Sequence, residues 1–251
     1  MCLFSTTIIA LLSLAAPFAC ALPATNPAAA QVTPPALSAA ASAIPIREWT
    51  VMLFINTKNN LSESGVRELN LAEHAAGGGV GFVAQLGTEQ LDERILREYI
   101  KAVRAGASSS EANAIHKRYQ DSGEYKVRRY TLTHDRDLNK IASRPYGMKT
   151  GRDMGDWKSL SSFIRWAKKT SPARRYALIL SSHGEAFQGV SKDAQFPAIL
   201  PQGLGQALRD SGGLDLLILE ACLMASAESL YELRDSVKLA AASEDTVIDR
   251  S

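Results

Sequence analysis

The sequence has little of several features that would mark a specialised class of protein. Its net charge is only +2 over 251 residues, and without a basic block nucleic acid is not an expected partner. After residue 22 no apolar run is long enough to span a membrane. No metal-ligand spacing is evident, and no cofactor is indicated. The 46% hydrophobic content is enough for one sizeable soluble core.

The N-terminal region also lacks charge, because no charged residue or histidine precedes Arg47. An apolar stretch at 8–16 is followed by Ala19-Cys20-Ala21, a small-x-small cleavage pattern. We therefore predict a signal peptide over 1–21 and export to the periplasm, the cell surface or the medium. A membrane anchor is disfavoured by the short apolar length. Lipid attachment at Cys20 is disfavoured because the preceding residues match the lipoprotein consensus poorly.

The rest of the chain divides into a linker and a folded domain. Residues 22–47 are rich in Ala and Pro and predict an extended tether, so the domain is expected over 48–251. Apolar runs alternate with amphipathic stretches in this region. Strands are predicted at 49–56, 80–86, 125–133, 176–180, 214–220 and 237–242, and helices at 61–75, 89–104, 111–119, 156–169, 203–210 and from 223 onward. This alternation predicts an α/β domain with a mainly parallel sheet covered by helices on both faces.

Two of these strands end in residues that can do chemistry together. Cys222 follows one apolar strand and stands before a helical pattern, where a helix N-terminus would favour the thiolate. The preceding strand ends in His183-Gly184. Because ligands and catalytic groups gather at the carboxyl ends of parallel strands, a base and a nucleophile are expected at one edge of the sheet.

The small number of cysteines supports the same interpretation. Of the three, two lie in the predicted signal peptide, so Cys222 would be the only thiol of the exported chain. It is then either buried and inert or reactive. In the non-catalytic alternatives, Cys222 is a small buried core residue and His183 is a capping or core histidine. Their positions at strand ends favour the reactive interpretation.

Several segments of the domain also resemble a known family when taken together. They are Trp49-Thr50-Val51-Met52, Asn59-Asn60-Leu61, Met154-Gly155-Asp156, Leu160-Ser161-Ser162-Phe163, Pro172 to Leu180, His183-Gly184 and Glu220-Ala221-Cys222-Leu223-Met224 with Glu228. In this order and spacing they resemble the clostripain family of cysteine peptidases, relatives of the caspases, legumains and gingipains. The resemblance implies a caspase-like α/β fold and cleavage of peptide bonds after basic residues. It also implies that His183 and Cys222 are the catalytic dyad.

The remaining site residues are assigned by their position relative to this dyad. The backbone N–H groups of Gly184 and Cys222 are expected to bind the oxyanion. Glu220 lies two residues before the cysteine, hence on the same face of its strand, where a carboxylate can pair with a substrate Arg or Lys. A structural ion pair is the alternative role. Ser243, at the end of the next strand, is expected to line the same pocket.

The resemblance has departures that keep other functions open. Where the family usually has Asp two places before the cysteine, this chain has Glu220. Family domains also continue well past the strand ending at Glu244. We therefore expect either a C-terminally truncated sequence or a domain that has lost part of its substrate cleft. The expected partners are proteins or peptides with a basic P1 residue. The alternatives are a pseudo-peptidase or binding module with the same fold, and a caspase-like peptidase with another P1 preference.

Overall fold

A computed structural model describes residues 46–59, 61–89, 125–138, 140–150, 153–193 and 197–247, with a few positions between 102 and 114. The predicted signal peptide, nearly all of the predicted linker and most of the two helices predicted between 89 and 119 lie outside the described residues. Within those ranges no helix has the length and apolar character needed to cross a membrane.

The described residues form one seven-stranded sheet. Its strands are β1 (Arg47–Thr57), β2 (Gly81–Glu89), β3 (Tyr125–Thr131), β4 (Pro145–Thr150), β5 (Ala173–Ser181), β6 (Leu214–Glu220) and β7 (Val237–Ala241). They lie in the order β4-β3-β2-β1-β5-β6-β7. Four neighbouring pairs are parallel: β2 with β1, β1 with β5, β5 with β6, and β6 with β7. At one edge, β3 pairs antiparallel with β2, and β4 pairs antiparallel with β3. The predicted mainly parallel sheet is therefore confirmed.

Helices cover both faces of this sheet, as predicted. They are α1 (Ser62–Ala75), α2 (Trp157–Thr170), α3 (Pro201–Asp210) and α4 (Ala227–Leu233). Leu69 of α1 packs with alternate β1 residues such as Leu53 on one face. Phe163 of α2 and Leu204 of α3 pack with Phe54 on the other. Because both faces are covered, residues 51–55 of β1 are all buried, which explains the unbroken apolar run in the sequence.

The sequence interpretation did not predict β4. This strand lies at the edge of the sheet and pairs only with β3 among the described strands. Its sequence, from Pro145 to Thr150, includes a proline, a glycine and a lysine. Such residues are typical of edge strands, where a missing ladder hydrogen bond costs little and charge discourages further pairing. No apolar alternation marks a strand of this kind.

The helix expected to begin at Leu223 begins later, so this prediction was wrong. Residues 222–225 form a turn, and α4 starts at Ala227 with Ser226 as its N-cap. The Ser226 hydroxyl accepts a hydrogen bond from the Ser229 backbone N–H at 3.3 Å, which satisfies one of the free donors of the first turn. Leu223 and Leu230 are exposed. The turn therefore presents Cys222 outside any helix.

Candidate active site

The carboxyl ends of β5 and β6 adjoin each other at one edge of the sheet. Ser181 and Glu220 are register partners in the two strands. Directly after them, the Ser182 N–H donates to the Glu220 carbonyl oxygen at 3.3 Å. His183 and Cys222 each follow these partners by two residues. The structure therefore brings together the two strand ends that carry the predicted base and nucleophile.

Gly184 lies directly against the cysteine turn. A Cβ atom at this position would be 2.7 Å from the Cys222 carbonyl oxygen and 2.9 Å from the Ala221 Cβ atom. Such distances exclude any side chain without movement of the turn, so the close approach requires glycine. The sequence predicts an oxyanion donor at this position but not this close approach.

Gly184 stands at the start of a small hairpin, and its backbone N–H is not hydrogen-bonded across this hairpin. Gly184 faces Val190 across an antiparallel bridge. The flanking hydrogen bonds run from the Ser191 N–H to the His183 carbonyl at 3.0 Å and from the Glu185 N–H to the Gly189 carbonyl at 2.9 Å. Gly184 is thus the non-hydrogen-bonded member of its pair, with its N–H directed away from Val190.

The Cys222 sulfur receives a hydrogen bond from a distant part of the chain. The Val247 N–H donates to Sγ at 3.3 Å, and Sγ lies 3.8 Å from the Val247 carbonyl oxygen. The expected source of stabilisation, a helix N-terminus, is absent from this position because α4 begins five residues later. No local sequence pattern identified Val247, because its contact with the sulfur depends on the path of the chain after β7.

The cysteine turn is anchored to the segment that follows β7. The Ala225 N–H donates to the Ser243 carbonyl at 2.9 Å, and the Leu223 N–H donates to the Asp245 carbonyl at 3.2 Å. Leu223 has a positive φ of 61°, a conformation that costs a bulky residue about 1–3 kcal/mol. Strain of this kind persists where surrounding contacts enforce it. The turn next to Cys222 is therefore held in shape by long-range backbone bonds.

His183 is half-buried in its hairpin. Burial lowers the pKa of its imidazole below the ordinary value, the nearby Glu185 carboxylate raises it, and the Lys192 ammonium lowers it further. The net result is a lowered pKa, which favours the neutral ring at neutral pH. A neutral imidazole is the form that can accept a proton from a thiol.

These charges predict how any peptidase activity of the chain would depend on pH. If neutral His183 accepts the thiol proton, kcat/KM falls on the acid side as the imidazole becomes protonated. Glu185→Gln removes a group that raises the His183 pKa, so the acid limb should move to lower pH. Lys192→Met should move the limb to higher pH. The measurement is kcat/KM for a peptide with a basic P1 residue, determined against pH at low salt.

The double variant is the matched control for this prediction. Glu185 and Lys192 face each other at 3.7 Å, and both side chains are more than half exposed. Their effects on His183 oppose each other, so Glu185→Gln/Lys192→Met should return the limb toward the wild-type position. High salt should shrink both single shifts by screening. Single variants that move the limb in the same direction would contradict His183 as the titrating group.

The two residues predicted to line a pocket are connected to the cysteine turn in different ways. Glu220, the last residue of β6, is half-buried, and its register with Ser181 places both on the same face of the sheet. Ser243 lies beyond the end of β7 and reaches the cysteine turn through its carbonyl group. Its hydroxyl donates to the Asp245 carbonyl at 2.9 Å, so this side chain is bonded within its own turn.

The chain is similar to proteins of one family. The family model described as the clostripain family matches residues 96–249. Clostripain from Hathewaya histolytica is 21% identical in an alignment of 201 positions, which covers 74% of this chain and 36% of that protein. The chain therefore spans about a third of the length of this curated relative.

Solved structures with the same fold include two C11 cysteine proteases. One is a secreted C11 cysteine protease from Bacteroides thetaiotaomicron in complex with an irreversible peptide inhibitor, with a TM-score of 0.53, 16% identity, and coverage of 76% of this chain and 47% of that one. The other is an inactive zymogen C11 protease from Parabacteroides distasonis, with a TM-score of 0.56, 16% identity, and coverage of 82% and 51%. At these identities the likeness concerns the fold.

Proposed function

Because the chain belongs to the clostripain family, we propose that it is a cysteine endopeptidase that cleaves after arginine or lysine. Cys222 is the nucleophile and His183 the general base and acid of this proposal. The observation that supports it most directly is the contact between Gly184 and the Cys222 carbonyl. This contact brings the histidine and cysteine segments together at the edge of the sheet where such sites form.

The proposed reaction proceeds in two halves. The Cys222 thiol transfers its proton to His183, and the sulfur attacks the carbonyl carbon of the scissile bond. The N–H groups of Gly184 and Cys222 hold the oxyanion, each donor being worth about 2.7–4 kcal/mol of barrier. His183 then protonates the leaving amine, which leaves a thioester. In the second half His183 takes a proton from water, and the resulting hydroxide attacks the thioester carbon. The carbon–sulfur bond then breaks, which releases the carboxylic acid, and the sulfur regains its proton from His183.

Glu220 is proposed to select a basic P1 side chain. Its carboxylate stands at the end of the strand that carries the nucleophile, and a carboxylate in a pocket pairs with a guanidinium or ammonium group. Ser243 is proposed to line the same pocket through its backbone, since its carbonyl already contacts the cysteine turn.

We also propose that the protein is exported. The apolar N-terminal stretch and the Ala19-Cys20-Ala21 cleavage pattern support removal of residues 1–21, with residues 22–47 as a linker. The solved relative from Bacteroides thetaiotaomicron is described as secreted, which agrees with this location.

Covalent labelling tests the proposed function directly. A peptide chloromethyl ketone with arginine at P1 should alkylate Cys222, forming a thioether with loss of chloride. The same reagent with norleucine at P1 serves as the matched neutral control and should react at least about tenfold more slowly, because norleucine carries no cation to pair with the Glu220 carboxylate. Intact mass and peptide mapping measure the label. A folded chain labelled by neither reagent would instead support a binding module or pseudo-peptidase.

A further inference from the structure

A fully buried ion pair lies beside the proposed site, and the mechanism does not use it. The Lys58 ammonium contacts the Asp193 carboxylate at 2.8 Å, and both side chains are 0% exposed. Lys58 directly follows β1, whereas Asp193 lies ten residues after His183. Burial of two charges is costly, and apolar replacements are often as stable. Stability alone therefore explains this pair poorly, and its contacts indicate another role.

The pair joins three separate segments of the chain. The Asp193 carboxylate that binds Lys58 also accepts the Met154 N–H at 3.2 Å. Two residues earlier, the Ser191 hydroxyl donates to the Met154 carbonyl at 2.8 Å. Asn56, near the end of β1, donates its side-chain amide to the Ser191 carbonyl at 3.1 Å and to the hydroxyl at 3.0 Å. The 191–193 segment is thus fixed on two sides.

The same network reaches the backbone of His183. The Ser191 N–H donates to the His183 carbonyl at 3.0 Å, and the neighbouring Ser182 hydroxyl donates to the Asn56 carbonyl at 2.8 Å. Ser191 is fully buried and has a positive φ of 62°, a strained conformation for a residue with a Cβ. The strand end before the histidine and the return strand after it are both tied to Asn56.

We propose that Lys58 and Asp193 are positioning residues that fix the hairpin carrying His183. They act through Ser191 and Met154, and they do not touch the substrate. This inference rests on the proposed function, because it assigns His183 as the base whose position matters. A displacement of about 1 Å in a catalytic group can reduce the rate about 100-fold, so a pair that holds the hairpin in place should affect turnover more than stability.

The principal test removes both charges together. Lys58→Met/Asp193→Leu replaces the pair with apolar side chains, so neither member of the pair is left buried without the other. We expect this variant to fold with kcat for an Arg-P1 peptide lowered about 10-fold to 100-fold and KM unchanged. The control is Asp215→Asn, which breaks the Asp215–Lys238 ion pair of 2.7 Å at the opposite, amino-terminal edge of the sheet. Its kcat should match wild type.

A second readout does not depend on activity. The imidazole carbon–proton signal of His183 can be identified in the full chain by its loss in His183→Gln. In Lys58→Met/Asp193→Leu this signal should shift or broaden, whereas Asp215→Asn should leave it unchanged. If the wild-type chain hydrolyses no peptide, the proposed function fails and this signal alone decides the inference.

Two outcomes would overturn the inference. One is a folded double variant with wild-type kcat. The other, decisive in an inactive chain, is an unchanged His183 signal. If the double variant does not fold, Ser191→Ala takes its place with the same readouts, because it removes the hydroxyl bonds to Asn56 and Met154. Full activity and an unchanged signal in Ser191→Ala would then count equally against the network as a positioning device.

Discussion

Cys222→Ala is expected to abolish peptide hydrolysis, with a fall in kcat of about 10⁴-fold or more. Without the sulfur no thioester can form, and His183 has no nucleophile to deprotonate. Stability should change little, because the sulfur is half-buried and its hydrogen bonds are the long contacts with Val247. The midpoint of thermal unfolding should stay within a few degrees of wild type, and the free energy of unfolding should change by about 1 kcal/mol or less.

The measurements for this prediction are turnover of an Arg-P1 fluorogenic peptide and thermal unfolding. Glu228→Ala provides the control, because Glu228 is exposed on α4 only six residues from the nucleophile. It should leave both quantities unchanged. Retained turnover in Cys222→Ala would exclude it as the nucleophile. Alkylation of the wild-type thiol by iodoacetamide only after denaturant is added would favour an inert core cysteine instead.

The elements that the sequence predicted well are those whose burial leaves a local pattern. β1 is apolar at every position from Val51 to Ile55 because helices cover both faces of the sheet. The α2 helix has four apolar residues that are all buried: Leu160, Phe163, Ile164 and Ala167. Their spacing places them on one side of a helix. Strand ends could therefore be located, and with them the positions of the histidine and the cysteine.

The parts that the sequence did not predict depend on distant contacts. The turn at 222–225 has helix-forming residues, yet backbone bonds to Ser243 and Asp245 delay the helix until Ala227. Lys58 stands in a polar run after β1 and would ordinarily be exposed. Its burial depends on Asp193, 135 residues later. No periodicity within either segment carries this information.

Glu220→Gln is expected to lower kcat/KM for Arg-P1 peptides at least about 30-fold and to change Leu-P1 peptides little. Glu220 ends β6 in register with Ser181 and is half-buried, so a substrate guanidinium paired with it would be partly desolvated. Truncating one partner of such a charged pair costs about 2–5 kcal/mol, and each 1.4 kcal/mol corresponds to about tenfold. Arg should exceed Lys modestly in the wild type, because its planar group can pair with both carboxylate oxygens.

The ratio of kcat/KM for the Arg-P1 peptide to kcat/KM for the Leu-P1 peptide distinguishes a pocket residue from a structural one. Glu228→Gln is the matched control, since it removes a nearby exposed carboxylate and should leave the Arg-to-Leu ratio unchanged. Loss of a structural ion pair at Glu220 would lower kcat/KM for both substrates together and reduce thermal stability. Loss of a P1 contact lowers kcat/KM for the Arg-P1 substrate alone, because a Leu side chain gains nothing from the carboxylate. An unchanged Arg-to-Leu ratio in Glu220→Gln would therefore show that this carboxylate does not determine specificity.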